Sequence, residues 1–120
     1  VVADADAELL FPGQDFATWA PALLSAGARV VALKRGAAGC VAMDKAGACD
    51  LPGHAVAVAD PTGAGDCFCA TLVTRLAAGE PLPAALCRAN AAGALAVTRL
   101  GPMEGNSTLA EIDAFLARAA

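Results

Sequence analysis

Residues Asp60 to Phe68 read Asp-Pro-Thr-Gly-Ala-Gly-Asp-Cys-Phe, a turn of small residues leading straight into an apolar, alanine-rich run with Asp66 at the junction. Gly63, Ala64 and Gly65 leave backbone N–H groups unshielded, and the first turn of a following helix adds more N–H groups with no internal partner. The helix dipole places partial positive charge at the same point, which suits a phosphate group. Asp66 could take the proton from a hydroxyl while the turn holds the phosphoryl group that the hydroxyl attacks. Phosphoryl transfer to an alcohol is the chemistry such a pairing supports. A plainer reading stays open, in which Asp66 favours the helix start electrostatically and the glycines only tighten the turn. A Walker A loop is excluded because no Gly-Lys-Ser/Thr follows, and a dinucleotide fingerprint because the third glycine is missing at its spacing.

A second glycine-bearing loop spans Lys34 to Gly39, and its alternative is a strand-to-hairpin turn with Lys34 solvated. Asn90 is a polar residue in a helical stretch, where asparagine is unfavourable without a partner. Cys40, Cys49, Cys67, Cys69 and Cys87 are odd in number and contain no C-x-x-C. They read as small buried residues in a reducing compartment rather than as a metal or disulfide set. His54, the one histidine, follows Pro52 and Gly53 and has no ligand partner at useful spacing, so it reads as a loop residue.

Alternating elements must position these residues. A strand is already under way at Val1 and Val2, and Ala5 to Phe11 reads as a short helix closed by Pro12 and Gly13. Phe16 to Ser25 has helical spacing, with Asp15 as N-cap, Gly27 as stop, and Phe16 and Trp19 as a core-facing pair. Arg29 to Leu33 reads as a buried strand of the parallel type. Cys40 to Met43 and Cys49 to Leu51 read as a hairpin across Asp44 to Gly47, and Val56 to Val58 as a further strand. A helix from Asp66 to Ala78 stops at Gly79. The next opens at Pro81 to Pro83 and runs to about Val97, with Gly101 and Pro102 closing the connection. Leu109 to Ala119 is a last amphipathic helix, capped by Ser107 or Thr108 with Glu111 reciprocating. Strands alternating with helices indicate an α/β layered domain, whose ligands collect at the carboxyl ends of strands. Both glycine-bearing loops are expected at that edge.

At 120 residues the chain is one domain or less. Apolar residues make up 58%, much of it alanine, and no uninterrupted apolar run approaches a membrane span. No signal-peptide pattern opens the chain. A net charge of −4 argues against nucleic-acid or anionic-membrane partners, while leaving a site built from local amides unaffected. A cytoplasmic protein is expected.

The stretch from Asp60 to Phe68, followed by Ala89 to Gly101 and preceded by Lys34 to Gly39, resembles the signature region of the ribokinase-like (PfkB) carbohydrate kinases. The likeness runs over essentially the whole chain in the family's order. It implies a ribokinase-like three-layer α/β/α sandwich of Rossmann-like character, of which residues 1–120 are the incomplete, C-terminal nucleotide-binding and catalytic portion. It implies ATP as co-substrate, a small sugar as acceptor, Mg2+, and compatibility with a K+ site and with a homodimer. Asp66 would be the catalytic base, and Gly63, Ala64 and Gly65 the anion hole. Lys34, Gly36 and Gly39 would follow the nucleotide's ribose and phosphates, with Asn90 near the adenine. Asp60 and Thr62, with Ala96, Arg99 and Gly101, fall where relatives hold a monovalent cation.

Two positions depart from the family. Lys34 stands where threonine is common, and Ala3-Asp-Ala-Asp6 stands where N-x-x-E helps order Mg2+. Asp6 could replace the glutamate in charge, or could simply be a solvated residue at a helix start; Ala3 cannot replace the asparagine. The loop from Gly101 to Thr108, longer than is usual in ribokinases, together with Lys34-Arg-Gly36 and Asp60-Pro61, is similar to the tagatose and related ketohexose kinases. Fructokinase, 2-keto-3-deoxygluconate kinase, ribokinase and a non-catalytic nucleotide-binding remnant remain alternatives.

Overall fold

The computed structural model describes residues 1–58, 63–98 and 108–119, in two compact units, Val1–Pro52 and the remainder from Gly53. In the first unit, β1 (Val2–Ala3) leads into α1 (Asp4–Leu10) and α2 (Phe16–Ser25). Then follow β2 (Val31–Lys34), a 3-10 turn at Gly36–Ala38, β3 (Cys40–Asp44) and β4 (Gly47–Leu51). The sheet order is β1-β2-β3-β4, with β1 and β2 parallel and the other pairs antiparallel.

The buried strand reading was right for Val31, Ala32 and Leu33. The boundaries shift from Arg29–Leu33 to Val31–Lys34, and β2 is parallel on one side only, because β3 returns beside it as a hairpin arm. The hairpin closes with Asp44 opposite Gly47, and Asp44 Oδ1 accepts from the Ala46 and Gly47 amides at 2.9 and 3.2 Å. Asp15 caps α2 as expected, accepting from Thr18 N at 3.0 Å. Trp19 is buried, stacked on Phe11 at 4.7 Å and edge-on to Phe16 at 5.0 Å. These rings join Ala7, Ala20, Val31, Leu33 and Val41 in the core of this unit.

In the second unit, α3 (Ala64–Ala77), α4 (Leu82–Ala96) and α5 (Leu109–Ala119) match the three expected helices closely. Thr108 is the cap of α5: Glu111 N donates to Thr108 Oγ1 at 3.1 Å, and Thr108 N donates to Glu111 Oε1 at 3.2 Å. Arg88 of α4 binds Asp113 of α5 through two nitrogens and pairs with Glu80, tying the α3–α4 turn to both later helices. Alanines at 85, 89, 91, 92 and 96 of α4 are buried, so small side chains let its neighbours approach closely.

One expected element is corrected. Val56 to Val58 forms no strand: the segment has no ladder partner among the described residues, and Val58 is exposed. Alternating Val and Ala supplies the propensity of a strand, but a strand exists only when its backbone is paired.

Candidate active site

The centre of the second unit's chemistry is the start of α3. Gly63 adopts φ 82 and ψ −3, a left-handed conformation that glycine enters without steric cost. The turn it makes is sharp enough that Ala64 and Gly65 are already helical, two residues earlier than the sequence suggested. The first intrahelical bond is from Cys67 N to Gly63 O at 3.0 Å. The amides of Ala64, Gly65 and Asp66 therefore lack acceptors within the helix, which is the general condition of a helix start. Residues 63–65, anticipated as an anion hole, are a left-handed glycine followed by the first two helical residues of α3.

Asp66 is exposed, in that same first turn. Burial pushes the Cys67 thiol up from its usual range, and the Asp66 charge pushes it further. A thiol raised in this way is a poorer nucleophile. Asn90 is half-buried on α4, one turn ahead of Gly93. A Cβ built on Gly93 would lie 3.6 Å from the Ala64 carbonyl and 3.7 Å from the Phe68 Cβ. The helix bearing Asn90 thus packs directly on the first turn of α3. His54, read as a loop residue, lies edge-on to Phe115 at 4.9 Å.

Lys34, Gly36 and Gly39 come together in the first unit. Lys34 ends β2, while Gly36, with φ 56, opens the 3-10 turn and Gly39, with φ 98, closes it. The loop closes on itself through Arg35 N to Gly39 O at 2.8 Å. Sequence reasoning passed over Arg35. Its Nη2 donates to Asp50 Oδ1 at 2.6 Å and to the Cys40 and Leu51 carbonyls at 3.0 and 3.3 Å, and its Nη1 donates to Asp50 Oδ2 at 3.3 Å. The available signal was a second cation inside the glycine loop with an acidic residue on a paired strand.

Asp6 is exposed in the first turn of α1, and Ala3 caps that helix with no side-chain bond. Among the described residues no three His, Cys, Asp or Glu side chains group as a metal site. Asp60 and Thr62, named for a monovalent cation, lie outside the described residues, as do Arg99 and Gly101. None of the five cysteines is in a disulfide. No helix among the described residues is long and apolar enough to cross a membrane.

Residues 4–109 match the profile of the pfkB family carbohydrate kinases. A protein of Escherichia coli described as a ribokinase II, seen in complex with ATP and Mg2+, superposes with a TM-score of 0.89 at 38% identity. That match covers 97% of this chain and 38% of the other. Fructokinase from Vibrio cholerae, in a form bound to fructose, ADP and calcium, has a TM-score of 0.82 at 28% identity over 96% of this chain and 40% of its own. The bifunctional protein HldE of Nitrobacter winogradskyi is 53% identical over 51 residues, which are 42% of this chain and 10% of that protein. The chain thus spans well under half the length of these relatives, and its mixed α/β fold is that of the ribokinase-like kinases. With nearly all its residues inside the family match, the chain belongs to the pfkB family of carbohydrate kinases.

Proposed function

We propose that this chain carries the nucleotide-binding and phosphoryl-transfer site of an ATP-dependent kinase whose acceptor is a hydroxyl of a monosaccharide. On this reading residues 1–120 are the C-terminal catalytic portion of that kinase. The observation that carries the proposal is the first turn of α3, where three helix-start amides and an exposed carboxylate lie within consecutive residues. Asp66 accepts the proton of the sugar hydroxyl as its oxygen bonds to the γ-phosphorus of ATP. The bond to the bridging oxygen breaks, and ADP departs. The amides of residues 64–66 receive the charge that spreads over the transferring group's oxygens. Lys34, Gly36 and Gly39 line the nucleotide, with Asn90 toward the base.

Asp6 offers a hard, exposed oxygen of the kind Mg2+ prefers, and an ion held mostly by phosphates and waters needs few protein ligands. Bound there, the ion would neutralise phosphate charge. A K+ site at Asp60 and Thr62 belongs to the same proposal and is read by comparing activity in K+ and in a K+-free buffer. The acceptor is proposed to be a ketohexose such as tagatose or fructose, on the character of the Gly101–Thr108 segment. A cytoplasmic setting suits an ATP-consuming enzyme with five thiols outside disulfides.

The test is ATP-dependent ADP release by the full-length protein across ketohexoses, ribose and 2-keto-3-deoxygluconate. Turnover highest on a ketohexose is expected. Turnover on a different sugar would overturn the ketohexose assignment alone. ATP binding without turnover on any sugar would overturn the kinase assignment in favour of a nucleotide-binding remnant.

A further inference from the structure

A basic residue inside a phosphate-binding loop ordinarily suggests a phosphate contact, yet the Arg35 side chain is directed elsewhere. Both terminal nitrogens meet the two oxygens of Asp50, at 2.6 and 3.3 Å, and Nη2 also reaches the Cys40 and Leu51 carbonyls. Cys40 and Leu51 are paired across β3 and β4, at the end of the ladder opposite the Lys45-Ala46 turn. Arg35 therefore clasps the open end of that hairpin. Its own backbone is the first residue of the loop, bonded to Gly39 O at 2.8 Å.

The loop has reason to need such a clasp. Gly36 and Gly39 both take positive φ, and glycine loses more conformational freedom on ordering than any other residue. A loop with two such residues binds a ligand weakly unless something outside it fixes its shape. A planar guanidinium that joins a carboxylate and two carbonyls can do so, and lysine could not reproduce the fork.

We propose that Arg35 is the positioning residue of the nucleotide loop: by clasping Asp50 and the Cys40 and Leu51 carbonyls it holds the Lys34–Gly39 backbone ready for ATP, and it does not itself contact phosphate. This rests on the nucleotide reading of that loop given above.

The full-length protein is compared with Arg35→Gln, Arg35→Lys, Asp50→Asn and the Arg35→Gln/Asp50→Asn double variant. ATP affinity is measured by calorimetry, and kcat and both KM values by turnover. Each Arg35 variant and Asp50→Asn should raise the KM for ATP by about three- to tenfold, with kcat and sugar KM within about twofold. The double variant should be no worse than the poorer single one, because one clasp is lost either way. A direct phosphate contact makes the opposite forecast for Asp50→Asn: a released guanidinium would leave ATP binding unchanged or tighter, and that result overturns the proposal. A uniform drop in kcat and both substrates' affinities would mark a general structural role and overturn it too. If the wild-type protein binds ATP and every variant binds it equally well, the nucleotide reading stands and the clasp alone fails. If the wild type binds no ATP, both fall together.

Discussion

Asp66 and Cys67 are adjacent in one helical turn, yet their surroundings differ. The carboxylate is exposed, while the thiol packs against the cluster of Ala91, Ala92 and Ile112 and is pushed up by burial and by Asp66. On the proposed mechanism Asp66 is the base of this turn. Asp66→Asn in the full-length enzyme should therefore leave ATP binding nearly unchanged and lower kcat by about two to four decades, the usual share of a positioned base. Turnover near wild type in that variant would remove Asp66 from the mechanism. Gly65 is the second helical residue of α3, so a side chain there stands beside the helix-start amides proposed to receive phosphate. Gly65→Val should weaken ATP binding and slow turnover together, measured by titration and steady-state kinetics. A change in thermal stability alone would reduce Gly63–Gly65 to a structural turn.

At the scale of elements, the clasp between Arg35 and Asp50 has a pH signature. Hydrogen bonding from Arg35 lowers the Asp50 carboxyl, with the guanidinium charge acting in the same direction. The unfolded chain then binds more protons than the folded one in acid, so the pair's contribution is fully present above the unfolded carboxylate value of about 3.9. It is lost as the pH falls through the lower folded value. The difference in Tm between wild type and Asp50→Asn should accordingly be present at pH 7 and shrink progressively below pH 4; a difference that does not diminish with falling pH would sink this account. Where α4 meets α3, Gly93 leaves room for a methyl group at ordinary contact distances of 3.6 and 3.7 Å. Gly93→Ala should stabilise the protein by up to about 1 kcal/mol through helix propensity, read from denaturant unfolding. A loss of stability would mean that the two helices need closer approach than these distances indicate.

The elements also show what could be read from residues alone. Asp15, Gly27, Gly79 and the Thr108–Glu111 pair are local chemistry, and the helices they bound were anticipated within a residue or two. The hairpin was legible because Asp44 and Gly47 mark its turn. Val56 to Val58 was misread because pairing depends on a partner that alternation cannot supply. The α3 start was placed two residues late, since a left-handed φ at Gly63 is permitted by the residue type but not announced by it. Arg35 was missed for a related reason: its partner, Asp50, becomes a neighbour only when β4 folds back along β3.

For the molecule as a whole, the decisive quantity is coverage. Residues 1–120 correspond to 38% of the E. coli relative seen with ATP and Mg2+ and 40% of the Vibrio cholerae fructokinase. Phosphoryl transfer requires the acceptor hydroxyl held in line and water excluded, because catalysis of this kind rests on positioning. On the reading proposed above, the 34–39 loop of the first unit and the start of α3 and Asn90 of the second are each assigned to the nucleotide, and no described residue but Asp66 is assigned to the sugar. Adjacent leucines on α1, Leu9 and Leu10, are exposed at 82% and 63%, and a surface of that kind invites association when it stands in water. Expressed alone, residues 1–120 should therefore bind ATP at best weakly, self-associate in sedimentation experiments, and phosphorylate no sugar across a panel of ketoses and aldoses. Slow ATP hydrolysis is compatible with this outcome, since water can reach a phosphoryl group that no sugar shields. Robust turnover on any sugar by residues 1–120 alone would show that acceptor positioning is built into these 120 residues and would overturn their assignment to the nucleotide-binding portion alone.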